Sequence, residues 1–307
     1  MTERADYRSH DPVGRLLGVR CWQQHGVRAP HKAFLLLIAL ARVQRGKARE
    51  MRFDEVEPVL EELLTSFGPP RRSHGPHFPF WHLRSDHVWT LRDPEQLLSR
   101  AGHPSRKAMR AHAVGGLTPE IEKVLKSDSA RLVHVARELL DRNFPPSMHD
   151  AILDVVGLDL APAAAPPDRV RETVRRSRVR DPEFRRLILR IYECRCAFCG
   201  QGGTIDREPV GIEAAHVRWH AADGPDSEDN GVAACALHHA ALDRGAISIS
   251  PNHETWVSES YVSTAASDSI SALSSRPLRN PLSGHARPHK THLEWHHVQV
   301  FRKPARA

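Results

Sequence analysis

Residues 196–199 read Cys-Ala-Phe-Cys and residues 235–239 read Cys-Ala-Leu-His-His, and these two runs decide the fold of the C-terminal half. Each run brings two metal ligands together, namely Cys196 with Cys199 and Cys235 with His238. Three thiolates and one imidazole complete a tetrahedral Zn²⁺ site with no open position, which is typical of structural zinc. The spacing therefore predicts a zinc-stabilised unit, whose ion replaces part of the hydrophobic core that so short a segment lacks.

The remaining cysteines do not suggest a disulfide framework. Cys21 stands alone, and the other four lie in one region of the sequence, which favours metal binding in a reducing compartment. Cys194 competes with Cys196 as a ligand, but a Cys-x-Cys pair suits a single zinc less well. We therefore predict a structural role for Cys194.

Between and beside the two runs lie Gly211-Ile-Glu-Ala-Ala-His216, Asn230-Gly231-Val232 and the second histidine of His238-His239. From Cys196 to Ile249 this order resembles the HNH, or ββα-metal, nuclease family. The resemblance implies that His216 ends a strand and acts as the general base that activates water. It also implies that Asn230 holds the loop that aims His216, and that His239 binds a catalytic Mg²⁺ or Mn²⁺. Neighbouring histidines point to different sides of a helix, so His238 can serve zinc while His239 serves the scissile phosphate.

One position departs from the family pattern. Many HNH nucleases carry Asp or His directly before the base as a further metal ligand, whereas this chain has Ala215. The sequence does not decide which residues bind the catalytic metal. The alternatives are His239 with Asn230 or Glu213, or His239 with His220 and Asp243. Asp243-Arg-Gly245 fits the family's D-x-G tail, in which Asp243 could instead anchor the helix. Residues 287–301 resemble the closing segment of this branch, and we expect its histidines 289, 292, 296 and 297 to pack or face solvent.

Composition and charge favour a polyanionic partner and exclude a membrane protein. The net charge is +7 over 307 residues, and most of the basic side chains are arginines, which match phosphate with a planar fork of donors. The apolar run 33–41 is about half the length of a membrane span, and the N-terminus has no apolar signal core. We expect a cytoplasmic bacterial protein whose substrate is nucleoid-associated.

A Pro/Ala-rich stretch, residues 161–167, divides the chain. We predict an N-terminal DNA-recognition domain (1–160), a linker (161–170) and an HNH endonuclease domain (171–307), in an α+β fold. The first domain should be mostly helical and winged-helix-like, with helices near 30–45, 53–67, 118–126, 128–142 and 147–156. Residues 80–83 and 88–91 flank a turn-like segment and predict a β-hairpin. The arginine-rich run 168–195 predicts a helix through Arg190 that tracks phosphates.

Four stretches of the first domain resemble the sulfur-binding domain of McrA-type restriction endonucleases, the phosphorothioate-dependent enzymes of actinomycete type. They are Arg28-Ala-Pro-His-Lys32, Gly68-Pro-Pro-Arg-Arg72, Pro76-His-Phe-Pro-Phe-Trp-His82 and Gly115-Gly-Leu-Thr-Pro119. Sulfur is more polarisable and less hydrated than oxygen, so an apolar cup can distinguish it while nearby cations balance the phosphate. We expect the cup at His77, Phe78 and Pro79. Its cationic surroundings would be Arg28, His31, Lys32, Arg71 and Arg72.

The sequence thus predicts a type IV-like restriction endonuclease that binds phosphorothioated double-stranded DNA, cuts phosphodiesters near the modification and works as a homodimer. A nuclease directed at methylated cytosine is the alternative within the same class, since base readers flip their target into an aromatic pocket. A zinc-containing DNA-binding regulator without catalysis is the alternative from another class.

Overall fold

A computed structural model describes residues 11–19, 29–160, 182–206, 208–264 and 268–306 of the chain. Its contacts divide these residues into two compact units. The first contains the residues up to Asn143 and those from His149 to residue 160; the second contains Phe144–Met148 and the residues from Pro182 onward. Helices and small sheets occur in both, so the α+β class is confirmed. Among the described helices, none combines the length and apolar character needed to cross a membrane.

The first unit is built around one central helix. Its elements are α1 (Pro12–Leu17), α2 (His31–Gln44), β1 (Met51–Arg52), α3 (Phe53–Phe67), α4 (His77–His82), β2 (Trp89–Leu91), α5 (Arg106–His112), β3 (Val114–Leu117), α6 (Pro119–Ser127), α7 (Ser129–Asn143) and α8 (His149–Val156). Ten successive or nearly successive residues of α2 are buried, because α3, α4, α6, α7 and α8 all pack around it. The sequence located α2, α3, α6, α7 and α8 to within about two residues, and the apolar run 33–41 lies in the buried α2.

The predicted hairpin over residues 80–91 is wrong. Residues 80–82 end α4, a 3-10 turn follows over Leu83–Asp86, and β2 pairs antiparallel with β3 rather than with its neighbour in sequence. The sheet order is β1-β3-β2, with Trp89 opposite Leu117. The aromatic residues of this segment suggest a strand by propensity. In the structure, the Phe80 ring packs edge-on against Phe53 and Trp89, with ring centroids 5.4 and 5.2 Å apart, and these tertiary contacts stabilise the helical turn.

The second unit contains a ββα element. Its helices and strands are α9 (Pro182–Ile191), β4 (Thr204–Ile205), β5 (Glu208–Pro209), β6 (Ile212–His216), β7 (Gly231–Cys235), α10 (Ala236–Asp243), β8 (Ile247–Ile249), β9 (Thr255–Val257) and α11 (Lys290–Gln299). Strands β6 and β7 form an antiparallel pair from Ile212↔Cys235 to His216↔Gly231, and α10 follows β7 directly. Of the predicted arginine-rich helix, α9 is the described part, and the residues before Pro182 lie outside the described ranges.

Helix α9 packs on this ββα element through a glycine. A Cβ added to Gly231 would lie 2.4 Å from Ile188 and 2.9 Å from Phe184, so only glycine lets the helix approach the strand this closely. The four C-terminal histidines fill structural positions: His289 caps α11, and His292, His296 and His297 are buried. The ring nitrogens of His296 bond to Ser248 and to the carbonyl of Leu242.

Two physical reasons favour glycine at position 245, the end of the D-x-G segment. Its replacement should therefore destabilise the second unit. Its φ is +73°, and an added Cβ would lie 2.1 Å from the carbonyl oxygen of Val300. We expect Gly245→Ala to cost roughly 3 kcal/mol, from the left-handed backbone and the backbone clash together. Gly284 is the matched control, because its φ is +88° but no atom lies within 4 Å of the added Cβ.

Urea denaturation followed by tryptophan fluorescence measures the difference. Gly284→Ala should lose only the conformational part, roughly 1–2 kcal/mol. Equal losses in the two variants would contradict the steric explanation.

Candidate functional site

The four predicted zinc ligands form one cluster. One ligand atom from each of Cys196, Cys199, Cys235 and His238 lies within 4.8 Å of the others. Cys196 and Cys199 belong to a tight knuckle closed by the hydrogen bond from Gly200 N to the Cys196 carbonyl. Cys235 ends β7 and caps α10, which places His238 on the same side one turn later. Within the described ranges, this is the only group of three or more His, Cys, Asp or Glu side chains that meets this distance criterion.

The donor atoms fit a zinc ion. His238 directs Nδ1 at the cluster, 3.1 Å from Cys235 Sγ and 3.5 Å from Cys196 Sγ. Tetrahedral zinc with ordinary Zn–S and Zn–N bonds needs S···N separations of roughly 3.6 Å. Hydrogen bonding between the two thiols lowers the pKa of Cys235 and raises that of Cys196, so the pair favours one thiolate, the form of cysteine that binds zinc. Cys194 lies outside the group, at a left-handed φ of +52°.

His216 lies at the end of β6 in a confined position. Its side chain is 7% exposed and its ring stacks on Phe184, with centroids 4.0 Å apart and planes 15° apart. Its Nε2 lies 2.7 Å from Asp226 Oδ1. The other oxygen of that carboxylate faces Nε2 of His220 at 3.8 Å.

Asn230 ties together the two ends of the loop that follows His216. It is fully buried, and its Oδ1 accepts from Arg218 N at 2.8 Å. Its Nδ2 donates to the carbonyls of Arg218 at 3.0 Å and Pro225 at 2.9 Å. Because each of these polar groups would be left unsatisfied without the amide, Asn230 stabilises a single loop conformation.

His239 projects from α10 toward β6. Its Nδ1 lies 2.5 Å from Glu213 Oε2, and its Nε2 lies 3.4 Å from Asp243 Oδ2. Glu213 and Ala215 lie on the same side of β6, since side chains alternate along a strand. The small Ala215 side chain thus sits beside a carboxylate that reaches His239. Glu213 and Asp243 thus contact different nitrogens of the His239 ring. Nδ1 together with Glu213 offers an imidazole and a carboxylate to a hard divalent cation, while Asp243 orients the ring from its Nε2 side.

Two of the predicted phosphate-binding residues, His31 and Lys32, lie at the start of α2 and bond to other groups of the protein. The third, Arg28, lies outside the described residues. His31 is mostly buried, with Nε2 2.5 Å from the carbonyl oxygen of His74. Burial lowers the pKa of His31 to about 4, so the ring is neutral at pH 7. Lys32 is bonded to Asp86 at 2.7 Å. Both side chains therefore stabilise the protein interior rather than present a free charge.

The predicted sulfur cup lies on α4 and the segment before it. Phe78 is 46% exposed, while Pro79 is buried and His77 is half-buried. The ring of Phe78 lies between His77, at 4.2 Å, and His82, at 6.1 Å. Arg71 and Arg72 are both exposed. An exposed aromatic ring between two imidazoles, with two solvent-facing guanidinium groups nearby in sequence, combines apolar surface with positive charge.

Sequence reasoning missed a charged cluster beside His77. Glu57 is buried yet bonds to Arg106 and Arg110, and Arg106 also bonds to Glu61. Burial and the nearby Arg106 lower the pKa of His77. The signal in the sequence was a carboxylate on the apolar stripe of α3, where a buried charge requires partners. Asp226 was also missed, since loop residues carry no periodic signal.

The zinc ligand assignment can be tested by comparing two cysteine-to-serine variants with the wild-type chain. We expect the wild-type chain and Cys194→Ser to keep one zinc ion per chain through dialysis, because structural zinc binds with roughly 10–16 kcal/mol. Cys235→Ser should lose the ion and the thermal stability of the second unit. Zinc content by elemental analysis and melting curves measure both effects. Loss of zinc from Cys194→Ser, with retention in Cys235→Ser, would overturn the ligand assignment.

Comparison with known proteins gives two family matches. Residues 10–161 match the ScoMcrA-like DNA sulfur-binding domain, and residues 196–250 match the HNH endonuclease family. No curated protein matches the chain.

Solved structures similar to the chain include three structures of two McrA proteins. The sulfur-binding domain of ScoMcrA complexed with phosphorothioated DNA is 23% identical, with a TM-score of 0.43 over 48% of this chain and 94% of that one. The sulfur-binding domain of SprMcrA complexed with phosphorothioated DNA is 22% identical, with a TM-score of 0.39 over 47% and 90%. The type IV phosphorothioation-dependent restriction endonuclease ScoMcrA is 15% identical, with a TM-score of 0.36 over 76% and 94%. By its two family matches, the chain is an HNH endonuclease that carries a ScoMcrA-like DNA sulfur-binding domain.

Proposed function

We propose that this protein is a restriction endonuclease that recognises phosphorothioate-modified double-stranded DNA and hydrolyses phosphodiester bonds near the modification. The observation that carries the proposal is the presence, in one chain, of matches to a DNA sulfur-binding domain and to an HNH endonuclease. The confined His216 and the anionic group around His239 supply chemistry suited to the second activity. The protein would act in the cytoplasm as a homodimer, because cutting both strands requires two active sites.

The hydrolysis follows from the roles we assign to three side chains. His216 takes a proton from water, and the resulting hydroxide attacks phosphorus as the bond to the leaving 3′ oxygen breaks. That oxygen takes a proton from solvent, which gives a 3′ hydroxyl and a 5′ phosphate. Asn230 keeps the loop after His216 in one conformation through its three backbone hydrogen bonds.

The catalytic cation would be held by His239 and Glu213, and Asp243, at the other ring nitrogen, would orient the imidazole. Glu213 lies two residues before Ala215 on the same side of β6 and would replace the ligand that Ala215 cannot supply. Mg²⁺ or Mn²⁺ bound there would stabilise the charge that develops on the phosphate and on the leaving oxygen. One or two protein carboxylates are a usual share of a Mg²⁺ shell, since phosphate and water complete it.

Modification would be recognised in the first domain, in the predicted winged-helix-like arrangement. Phe78, with His77 and Pro79, would contact the sulfur, and Arg71 and Arg72 would contact phosphates. Arg28, His31 and Lys32 remain candidates for the backbone contact; for His31 and Lys32, release from the carbonyl of His74 and from Asp86 would have to precede it. The segment 161–170 would link this domain to the nuclease and allow cutting at a distance.

Digestion of matched plasmids tests the proposed activity. Phosphorothioated plasmid should be cut with Mg²⁺ or Mn²⁺ and left intact with a chelator, whereas unmodified plasmid should be left intact in all conditions. His216→Ala should bind modified DNA normally and cut it roughly 10²–10⁴-fold more slowly, since it loses the general base.

The outcomes separate the alternatives. Equal cutting of both plasmids would remove the sulfur requirement and leave the nuclease. Preferential cutting of methylated plasmid would indicate the modified-base alternative, and specific binding without cutting under any metal would indicate a regulator.

The sulfur cup makes a separate prediction about binding. Phe78→Ala should reduce the preference for phosphorothioated over unmodified duplex, because it removes apolar surface that only sulfur exploits. Arg72→Ala should weaken binding to both duplexes by a similar factor and reduce its salt dependence, because phosphate contacts carry no information about the modification. Fluorescence anisotropy at several salt concentrations measures both. Unchanged preference in Phe78→Ala would remove this ring from the cup.

A further inference from the structure

We propose that Asp226 is a positioning residue of the nuclease: its carboxylate selects the tautomer of His216 and holds the ring in the orientation for catalysis. This inference rests on the proposed nuclease function and names a side chain that neither family match assigns. It begins from the 2.7 Å contact between Asp226 Oδ1 and His216 Nε2.

The chemistry of the contact determines where the proton lies. An ionised carboxylate only accepts hydrogen bonds, so His216 Nε2 must carry the hydrogen and donate it. A neutral imidazole has one hydrogen, so Nδ1 then has the lone pair. Nδ1 is therefore the atom that takes the proton from water. Once the ring is an imidazolium, the Nε2–H···Oδ1 bond becomes charge-assisted on both sides and strengthens.

Two other contacts limit the ring to this arrangement. Phe184 lies against one face of the imidazole, with planes 15° apart, so the ring plane is held by packing. A stacked ring can still flip by 180° about its Cβ–Cγ bond, which keeps the stacking but exchanges Nε2 with Cε1 and Nδ1 with Cδ2. The carboxylate removes that ambiguity, because only one of the two orientations places a ring nitrogen at hydrogen-bond distance from Asp226.

The position of Asp226 is itself determined by Asn230. Asn230 Nδ2 donates to the carbonyl of Pro225, the residue directly before Asp226, at 2.9 Å. Since Asn230 is fully buried and also holds both backbone groups of Arg218, it joins the start of the loop to the carboxylate. The influence of Asn230 on His216 thus passes through Pro225 and Asp226.

The second carboxylate oxygen of Asp226 faces another imidazole, that of His220, so the contact with His216 must be distinguished from this one. Oδ2 lies 3.8 Å from Nε2 of His220, beyond hydrogen-bond distance, and the His220 ring is 71% exposed. A side chain so exposed adjusts freely, so the short contact with the confined His216 dominates.

The first readout is spectroscopic. Nitrogen-15 NMR of the zinc-loaded full chain, labelled at histidine, reports the tautomer, with the His216 signal assigned from its absence in His216→Ala. We expect the Nε2–H form in the wild type and a mixture of tautomers in Asp226→Asn, because an amide can donate as well as accept.

The second readout is the split between binding and turnover. Single-turnover cleavage by Asp226→Asn should fall roughly 10²-fold, the lower range for general-base catalysis, while the Kd for phosphorothioated duplex stays within about twofold. Asp223→Asn is the matched control, since Asp223 is an exposed carboxylate in the same loop at a left-handed φ of +58° that Asn tolerates. It should cut at the wild-type rate.

A wild-type His216 in the Nδ1–H form, or wild-type cleavage by Asp226→Asn, would overturn the proposal. If Asp226→Asn does not fold, the wild-type tautomer alone decides. If the wild type cuts no DNA, the nuclease function fails, while the tautomer still tests whether Asp226 orients His216.

Discussion

The arrangement of the second unit depends on the cluster formed by Cys196, Cys199, Cys235 and His238. It joins the knuckle before β6 to the junction of β7 and α10, so a single ion would cross-link two segments of chain that also share one apolar core. His239 follows His238 directly. Once His238 faces the cluster, helix geometry turns His239 about 100° away, toward the strand that carries Glu213. The position of His239, the proposed ligand of the catalytic cation, is thus determined by the position of His238 in the predicted zinc cluster.

The loop between β6 and β7 is held without a metal: Val217 and Trp219 bury their side chains, and the hydrogen bonds of Asn230 fix the backbone. Pairing of β6 with β7 ends at His216↔Gly231. Beyond that point the side-chain amide of Asn230 makes hydrogen bonds to the backbone that strand pairing no longer supplies. Asn230 satisfies three backbone groups that would otherwise lie unsatisfied in a buried position, which makes one loop conformation much more favourable than the rest. Rigidity at this point matters because a base displaced by an ångström loses much of its effect.

The sequence predicted those features that are encoded in local spacing. The ligand pairs Cys196/Cys199 and Cys235/His238 and helix α3 follow from residue patterns a few positions apart, and the structure contains each of them. The strand end at His216 was implied by the family resemblance, and β6 ends there. Pairing between distant segments was not predictable in this way: β2 pairs with β3 rather than with residues 80–83, because the partner of Trp89 is set by packing. Asp226 was invisible for the same reason, since its relation to His216 depends on how the loop folds back.

The charge of the nuclease site runs against that of the whole chain. The protein carries a net charge of +7, which favours approach to DNA, yet Glu213, Asp243 and Asp226 all surround the two histidines assigned to catalysis. Without a cation, these carboxylates would repel a phosphodiester at the point where it must bind. In the proposed mechanism, a divalent ion held by His239 and Glu213 would reverse the local potential, while Asp226 is balanced whenever His216 becomes an imidazolium. The charge of the site would then explain a metal requirement, because its carboxylates would disfavour the phosphodiester until the ion is present.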